Sequence, residues 1–305
     1  MLSLQTLGLL TYPQIDPVFL DLGFVQLRWY GLAYVAGILC GWLYARYLVG
    51  NRRLWPNGVS PITKLEIDDF ILYITLGIVL GGRLGSVFFY DFPRYEANPL
   101  AVFYVWEGGM SFHGGLIGVT IAMLLFCRVR NVPFWSLIDV VAAAVPFGLF
   151  FGRIANFING ELWGAPSNVP WAMVFPDAGP LPRHPSQLYE AALEGIVLWI
   201  ILRIATHGFK MFKRPRFTAG LFIFFYGCAR IFAEFFRMPD VQLGYLYGGW
   251  VTMGMVLSFP MLLVGIWAMA TAKRRVYEPK ALPAAAVPAE TKDDAAAHKR
   301  DSVRS

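Results

Sequence analysis

The chain has 305 residues, of which 57% are hydrophobic and only 15% charged, and its net charge is +6. A soluble domain carries charge on about a quarter of its residues, so this balance excludes one and places the chain in a bilayer. The basic excess then calls for no nucleic acid, because lysines and arginines in such a protein face anionic headgroups and set topology.

In chain order, the first 26 residues hold no Lys or Arg and no small-residue cleavage pattern, which reads as an outside segment or amphipathic lead-in rather than a removed signal peptide. Apolar runs long enough to cross about 30 Å of hydrocarbon follow at 27–48, 68–90, 112–127, 134–155, 187–207, 218–236 and 245–271. The third is short unless 103–112 also dips into the membrane. Arg46, Arg52, Arg53 and Lys64 follow span one. Arg128 and Arg130 follow span three, Lys210, Lys213, Arg214 and Arg216 follow span five, and Lys273, Arg274 and Arg275 follow span seven. The intervening loops carry little more than Arg94, Arg183 and Arg237, so the N-terminus is expected outside and the C-terminus inside. The expected fold is an all-α integral membrane protein of seven transmembrane helices with an outer-side loop or arm. One membrane domain would cover 1–275, and the Ala/Pro-rich stretch 276–305 reads as a disordered cytoplasmic tail. Cys40, Cys127 and Cys228 fall in or beside apolar spans without metal-binding spacing, so no disulfide framework or metal site is expected.

Polar residues gather where the spans meet the outer surface. Arg28 and Tyr30 open span one, Arg83 lies in span two and His113 starts span three. Arg153, Asn156, Asn159 and Glu161 close span four, and Arg230, Glu234 and Arg237 close span six. Charge at such depth usually faces a bundle interior and marks a site. Tyr226, Arg230, Glu234 and Arg237 share one helix face. Arg230 and Glu234 could simply neutralise one another across a turn. Two arginines against one nearby carboxylate would instead leave positive charge over, and planar guanidiniums suit phosphate oxygens. His113, among Gly108, Gly109, Gly114 and Gly115, is either a helix-to-helix hydrogen-bond donor or a proton acceptor for a nucleophile. Gly77, Gly81 and Gly85, with Gly114 and Gly118, read as helix packing through small residues. The proline-rich loop 165–185 is either an interfacial arm or a plain connector, and Glu190 behind it is a second intramembrane carboxylate, a partner for an arginine.

Several strings together carry a resemblance. GRIANFINGELWG at 152–164, SFHGGLIG at 111–118, HPSQLYE at 184–190, and Tyr226 through Arg230, Glu234 and Arg237 to Pro239 and Asp240 resemble the bacterial prolipoprotein diacylglyceryl transferases. The likeness covers most of 20–275. Ala155 stands where that signature has glycine, a small-for-small exchange.

The resemblance implies an inner-membrane enzyme with its site near the outer face. It would move diacylglycerol from phosphatidylglycerol to the lipobox cysteine of a preprolipoprotein, form a thioether and release glycerol phosphate. Such chemistry needs a thiol of pKa ~8.5 deprotonated and charge on the departing phosphate stabilised. Arg153 and Arg230 are the expected phosphate grip and His113 the expected base or thiol-orienting group. Asn156 and Glu161 would orient the headgroup or Arg153, with Gly164, Tyr30, Tyr226, Glu234 and Arg237 completing the substrate pocket. No cofactor is expected. The competing reading is a lipid or anion transporter, which needs polar groups through both halves of the membrane. A serine protease lacks a Gly-x-Ser-x-Gly nucleophile here.

Overall fold

The computed structural model describes residues 10–13, 15–23, 26–104, 109–238 and 244–278. Residues 1–9 of the lead-in, Gly108, the motif end at Pro239 and Asp240, and the tail from 279 onward lie outside the described residues. A short hairpin of β1 (Val18–Asp21) and β2 (Gln26–Arg28) leads into α1 (Trp29–Gly50). The chain continues through α2 (Lys64–Phe89), a small helix α3 (Phe92–Ala97), α4 (Phe112–Arg130) and α5 (Phe134–Ile158). Two further long helices, α8 (Phe217–Glu234) and α9 (Met253–Ala270), end the bundle.

Among the described residues six helices, α1, α2, α4, α5, α8 and α9, are each long and apolar enough to cross a membrane. The seventh expected span is helical from Ser186 to Gly208 but is no single α-helix. It alternates between α6 (Ser186–Glu190), a π-helical stretch Ala191–Val197, α7 (Leu198–Arg203) and a second π stretch Ile204–Gly208. The third span runs farther than expected, to Arg130, and the last begins later, at Met253.

Helix ends are set by side chains that accept orphan backbone N–H groups. Thr63 and Glu66 form a reciprocal capping box on α2, and Ser111 accepts from Gly114 N at 3.0 Å on α4. The Asp139 carboxylate, buried in α5, accepts from Arg216 N at 2.9 Å and Ala219 N at 2.8 Å, so one helix caps another.

The long helices pair antiparallel through small residues, which let backbones approach where lipid offers no hydrophobic drive for association. Any Cβ at Gly77, Gly81 or Gly85 of α2 would run into the backbone or side chains around Ser111, Gly114 and Gly118 of α4. Gly37 of α1 meets Gly148 of α5, and Gly220 of α8 meets Gly265 of α9. These pairings, with Phe147 against Trp199 and Phe150 against Gly195, bring the start of α1, the end of α2, the starts of α4, α6 and α9, and the ends of α5 and α8 to one end of the bundle. The basic loops lie at the other end. There Leu48, Trp55, Ile62, Phe126, Leu137 and Phe212 form the largest buried apolar cluster, with the Trp55 and Phe212 rings stacked at 4.9 Å. Burial of the loop side chains Trp55, Ile62 and Phe212 from water contributes roughly 1.5 to 3 kcal/mol each.

Candidate functional site

Arg153 occupies the last turns of α5, and its guanidinium turns toward the 186–208 helix. Arg153 Nε lies 2.7 Å from Glu190 Oε2, and Arg153 Nη2 lies 3.3 Å from Glu194 Oε2. Arg230, from α8, reaches the same two carboxylates at 3.2 and 3.4 Å and donates to Glu234 at 2.9 Å. Arg237, one turn beyond α8, stands 2.7 Å from Glu190 Oε1 and 3.5 Å from Glu234 Oε1. Thr252, the cap of α9, donates to the other Glu234 oxygen at 2.8 Å. Four elements therefore share one ionic cluster, with Glu190 and Glu194 almost wholly buried.

Among the described residues three carboxylates face three guanidiniums here, which corrects the expectation of two arginines against one carboxylate with positive charge left over. Glu190 pairs with arginine as anticipated, but with three of them. Glu194 was not anticipated at all. Its signal was available in the sequence, a second glutamate four residues after Glu190 inside an apolar run; Glu190 ends α6, Glu194 lies in the π-helical stretch, and both meet arginines of α5 and α8. Tyr226 lies within electrostatic reach of Glu194, Arg230 and Arg153.

An amide rim adjoins the cluster. Past α5 the chain turns sharply, with Gly160 at φ 68 and Leu162 at φ 56. The turn folds Glu161 back so that its carboxylate accepts from Asn156 Nδ2 at 2.8 Å and Asn159 Nδ2 at 3.3 Å. Gln187 Nε2 donates to the Glu161 carbonyl at 2.5 Å, tying this rim to α6. Tyr30 lies within electrostatic reach of Glu161 and Arg153, and its hydroxyl meets that of Tyr34 at 3.1 Å. Ala155, in the glycine position of the signature, is fully buried among its neighbours.

Gly164 is buried rather than facing open space. Its N–H donates to His184 O at 2.9 Å, it pairs antiparallel with Arg237, and a side chain there would strike Phe236 O and His184. The loop beyond it is no plain connector. Arg183 is buried beneath the Trp163 ring at 4.2 Å and donates to the carbonyls of Gly164 and Ala178, while Pro166 and Met173 pair with it along the backbone. Tyr12 from the lead-in donates to the terminal α5 carbonyls of Phe157 and Ile158. His184 meets the Tyr189 hydroxyl at 3.0 Å, and partial burial pulls its pKa below 6.5.

His113 stands apart. It is exposed on the first turn of α4, its Nδ1 is 3.3 Å from the Tyr90 hydroxyl, and among the described residues it makes no hydrogen bond or ion pair to the arginine cluster. Arg83, expected among the outward polar groups, donates instead to the carbonyls of Ala101, Val102, Tyr104 and Gly109 and holds the segment between α3 and α4 onto α2.

The family model described as prolipoprotein diacylglyceryl transferase matches residues 17–271. The phosphatidylglycerol–prolipoprotein diacylglyceryl transferase of Rhizobium leguminosarum bv. trifolii is 58% identical over 270 residues, covering 88% of this chain and 96% of its own. The protein of that name from Agrobacterium fabrum is 57% identical over 267 residues, covering 88% and 95%. Its namesake from Brucella canis is 55% identical over 265 residues, covering 87% and 94%. With GRIANFINGELWG now resolved as the helix end and turn that carry Arg153 to the ionic cluster and Asn156 to its amide rim, the chain belongs to the prolipoprotein diacylglyceryl transferase family.

Proposed function

We propose that Arg153 and Arg230 grip the phosphate of phosphatidylglycerol while a prolipoprotein thiol attacks the glycerol carbon beside it. The chain is a membrane transferase of lipoprotein maturation that passes the diacylglyceryl group from phosphatidylglycerol to prolipoproteins. The observation that carries the residue assignment is the convergence of Arg153 and Arg230, from separate helices, on the same pair of carboxylate groups. Guanidiniums that already share anionic oxygens are spaced to share those of a phosphodiester.

In the reaction the lipobox cysteine loses its thiol proton and its sulfur forms a bond to the glycerol carbon. The bond from that carbon to the phosphate oxygen breaks, the electron pair stays on oxygen, and glycerol phosphate leaves. Charge growing on the departing oxygen is met by fixed guanidinium donors that need no reorganisation. Asn156, Glu161 and Tyr30 rim the place where the headgroup glycerol would sit, while Tyr226, Glu234 and Arg237 hold the arginines. Gly164 keeps Arg237 in position. His113 is the proton acceptor or orienting group for a thiol arriving from the lipid side.

The basic loops support a topology with the cluster on the outer face of a seven-span inner-membrane domain covering 1–275 and the N-terminus outside. An apolar groove of about 550 Å³ along α2 and α4, lined by Leu76, Leu80, Phe88, Ile117 and Ile121, supports lateral entry of acyl chains or a signal peptide near His113. The test is to incubate the purified protein with phosphatidylglycerol and a lipobox peptide and weigh the peptide. Diacylglyceryl on the cysteine is expected; headgroup movement across vesicles without adduct would overturn the assignment.

A further inference from the structure

The pocket assigned to a lipid phosphate already holds anions, and its three carboxylates are not held alike. Glu190 has contacts of 2.7 Å to both Arg153 and Arg237. Glu234 has a 2.9 Å contact to Arg230 and the Thr252 hydroxyl at 2.8 Å. Glu194 has neither. Its contacts to Arg153 and Arg230 are all 3.3 to 3.4 Å, and among the described residues no neutral donor reaches it. It spans only Arg153 and Arg230, the two residues that would bind phosphate, and it has no exposed surface.

Its backbone setting is also unusual. Glu194 lies in the π-helical stretch Ala191–Val197, and the following Gly195 is pressed so closely on Phe150 of α5 that a Cβ would clash. Wide π turns recur at functional sites. Here the turn carries Glu194 into the gap between α5 and α8.

We propose that Glu194 is a positioning residue that occupies the phosphate's place between Arg153 and Arg230 and yields those guanidinium hydrogens to the lipid phosphodiester, taking up a proton as it does so to keep the cluster neutral. A carboxylate and a phosphodiester each present one negative charge over two oxygens, so one stands in for the other with the same donors. Without Glu194, two carboxylates, Glu190 and Glu234, would face three guanidiniums, and uncompensated positive charge is costly at this depth. Glu194 therefore keeps α5 and α8 at the spacing the substrate later bridges. Its long contacts make it the easiest of the three to displace, while Glu190 and Glu234 stay as the scaffold. The inference rests on the phosphate-gripping role of Arg153 and Arg230 argued above.

Glu194→Gln removes the competing charge at constant size. It should lower the KM for phosphatidylglycerol by about tenfold and lower kcat, because the glycerol phosphate product is held longer and becomes a stronger inhibitor. Glu190→Gln, which removes scaffold, should raise KM instead. A residue that only supported the fold would raise KM or lower stability in both variants, so an unchanged or raised KM in a folded Glu194→Gln protein overturns the inference. Should that variant fail to fold, infrared difference spectra of the unaltered protein decide. Phosphatidylglycerol, but not phosphatidylcholine, should shift a carboxylate band, and no shift overturns the proposal. Arg153→Gln and Arg230→Gln separate the two ideas. Retained phosphatidylglycerol binding there would remove the phosphate grip itself, whereas lost binding beside an indifferent Glu194→Gln would remove only the placeholder.

Discussion

Arg237 Nη1 lies 2.7 Å from Glu190 Oε1, and Arg153 Nε lies at the same distance from Glu190 Oε2. One buried carboxylate thus ties the C-terminal end of α8 to the C-terminal end of α5 through α6. Removing one member of such a buried pair leaves an uncompensated charge, which typically costs 3 to 5 kcal/mol. Arg237→Ala should therefore destabilise the detergent-solubilised protein by roughly 3 kcal/mol. Adding Glu190→Gln should recover part of that loss, because the stranded charge goes too. Thermal unfolding of the two single variants and the double would measure the coupling, and strictly additive losses would show that the pair does not act as a unit.

Arg153→Ala and Arg230→Ala should each lower turnover by about 10² to 10³, the scale on which losing one preorganised donor to a developing anion is felt. The double variant should be little worse than either single, since both act on the same phosphate. Far-UV circular dichroism and gel filtration should remain those of a folded protein. Near-normal transfer by either single variant would remove that arginine from the phosphate grip.

His113 invites the sharper mechanistic experiment because the structure leaves it outside the ionic cluster, with Tyr90 as its polar partner. If it accepts the thiol proton, His113→Gln should slow transfer by about 10² or more, and a peptide carrying a more acidic thiol should recover part of the rate. Activity above about a tenth of normal would demote it to an orienting group.

The contrast between His113 and Arg153 also marks what could be read before any coordinates. The apolar runs, the basic loops between them and the position of Arg153 at a span end are local properties; six of the seven runs return as single long helices, and the run at 187–207 returns as helix broken by π stretches. So is the glycine seam of α2 and α4, because a spacing of four residues lies on one helix face. The charge state of the site was not readable. Glu194 sits inside an apolar run, where its partners depend on how a π-helical turn faces two other helices. Asp139 is a similar case, since its partners are backbone N–H groups of Arg216 and Ala219, far along the chain. The proline-rich loop reads from composition as arm or connector, and only the seat of Arg183 under Trp163 decides that it is folded.

Gly164 has a role that the signature alone leaves undefined. Its backbone joins His184 and the Phe236–Arg237 segment, and a methyl group has no room between their carbonyls. Gly164→Ala should push the Arg237 backbone away and loosen its hold on Glu190, lowering turnover by more than tenfold with a smaller loss of global stability. Cross-linking of cysteines placed at Trp163 and Met238 would report the displacement, and an active Gly164→Ala protein would leave Gly164 with a packing role only.

His184 makes the same junction sensitive to acid. Burial lowers its pKa below 6.5, so the folded protein holds it neutral under conditions where the unfolded chain begins to bind a proton. The sign follows: with more protons bound in the unfolded state, the stability this group contributes is full above about pH 6.5 and is lost as pH falls through the lower folded value. The loop from Trp163 to Arg183, pinned through the His184 carbonyl to Gly164, should become more open to protease as pH drops from about 7.5 to 5.5. A His184→Gln protein should lack that pH-dependent part of the change, whatever its starting stability. If both proteins show the same acid profile, the opening belongs to another titrating group, and His184 is a spacer between Tyr189 and Phe236.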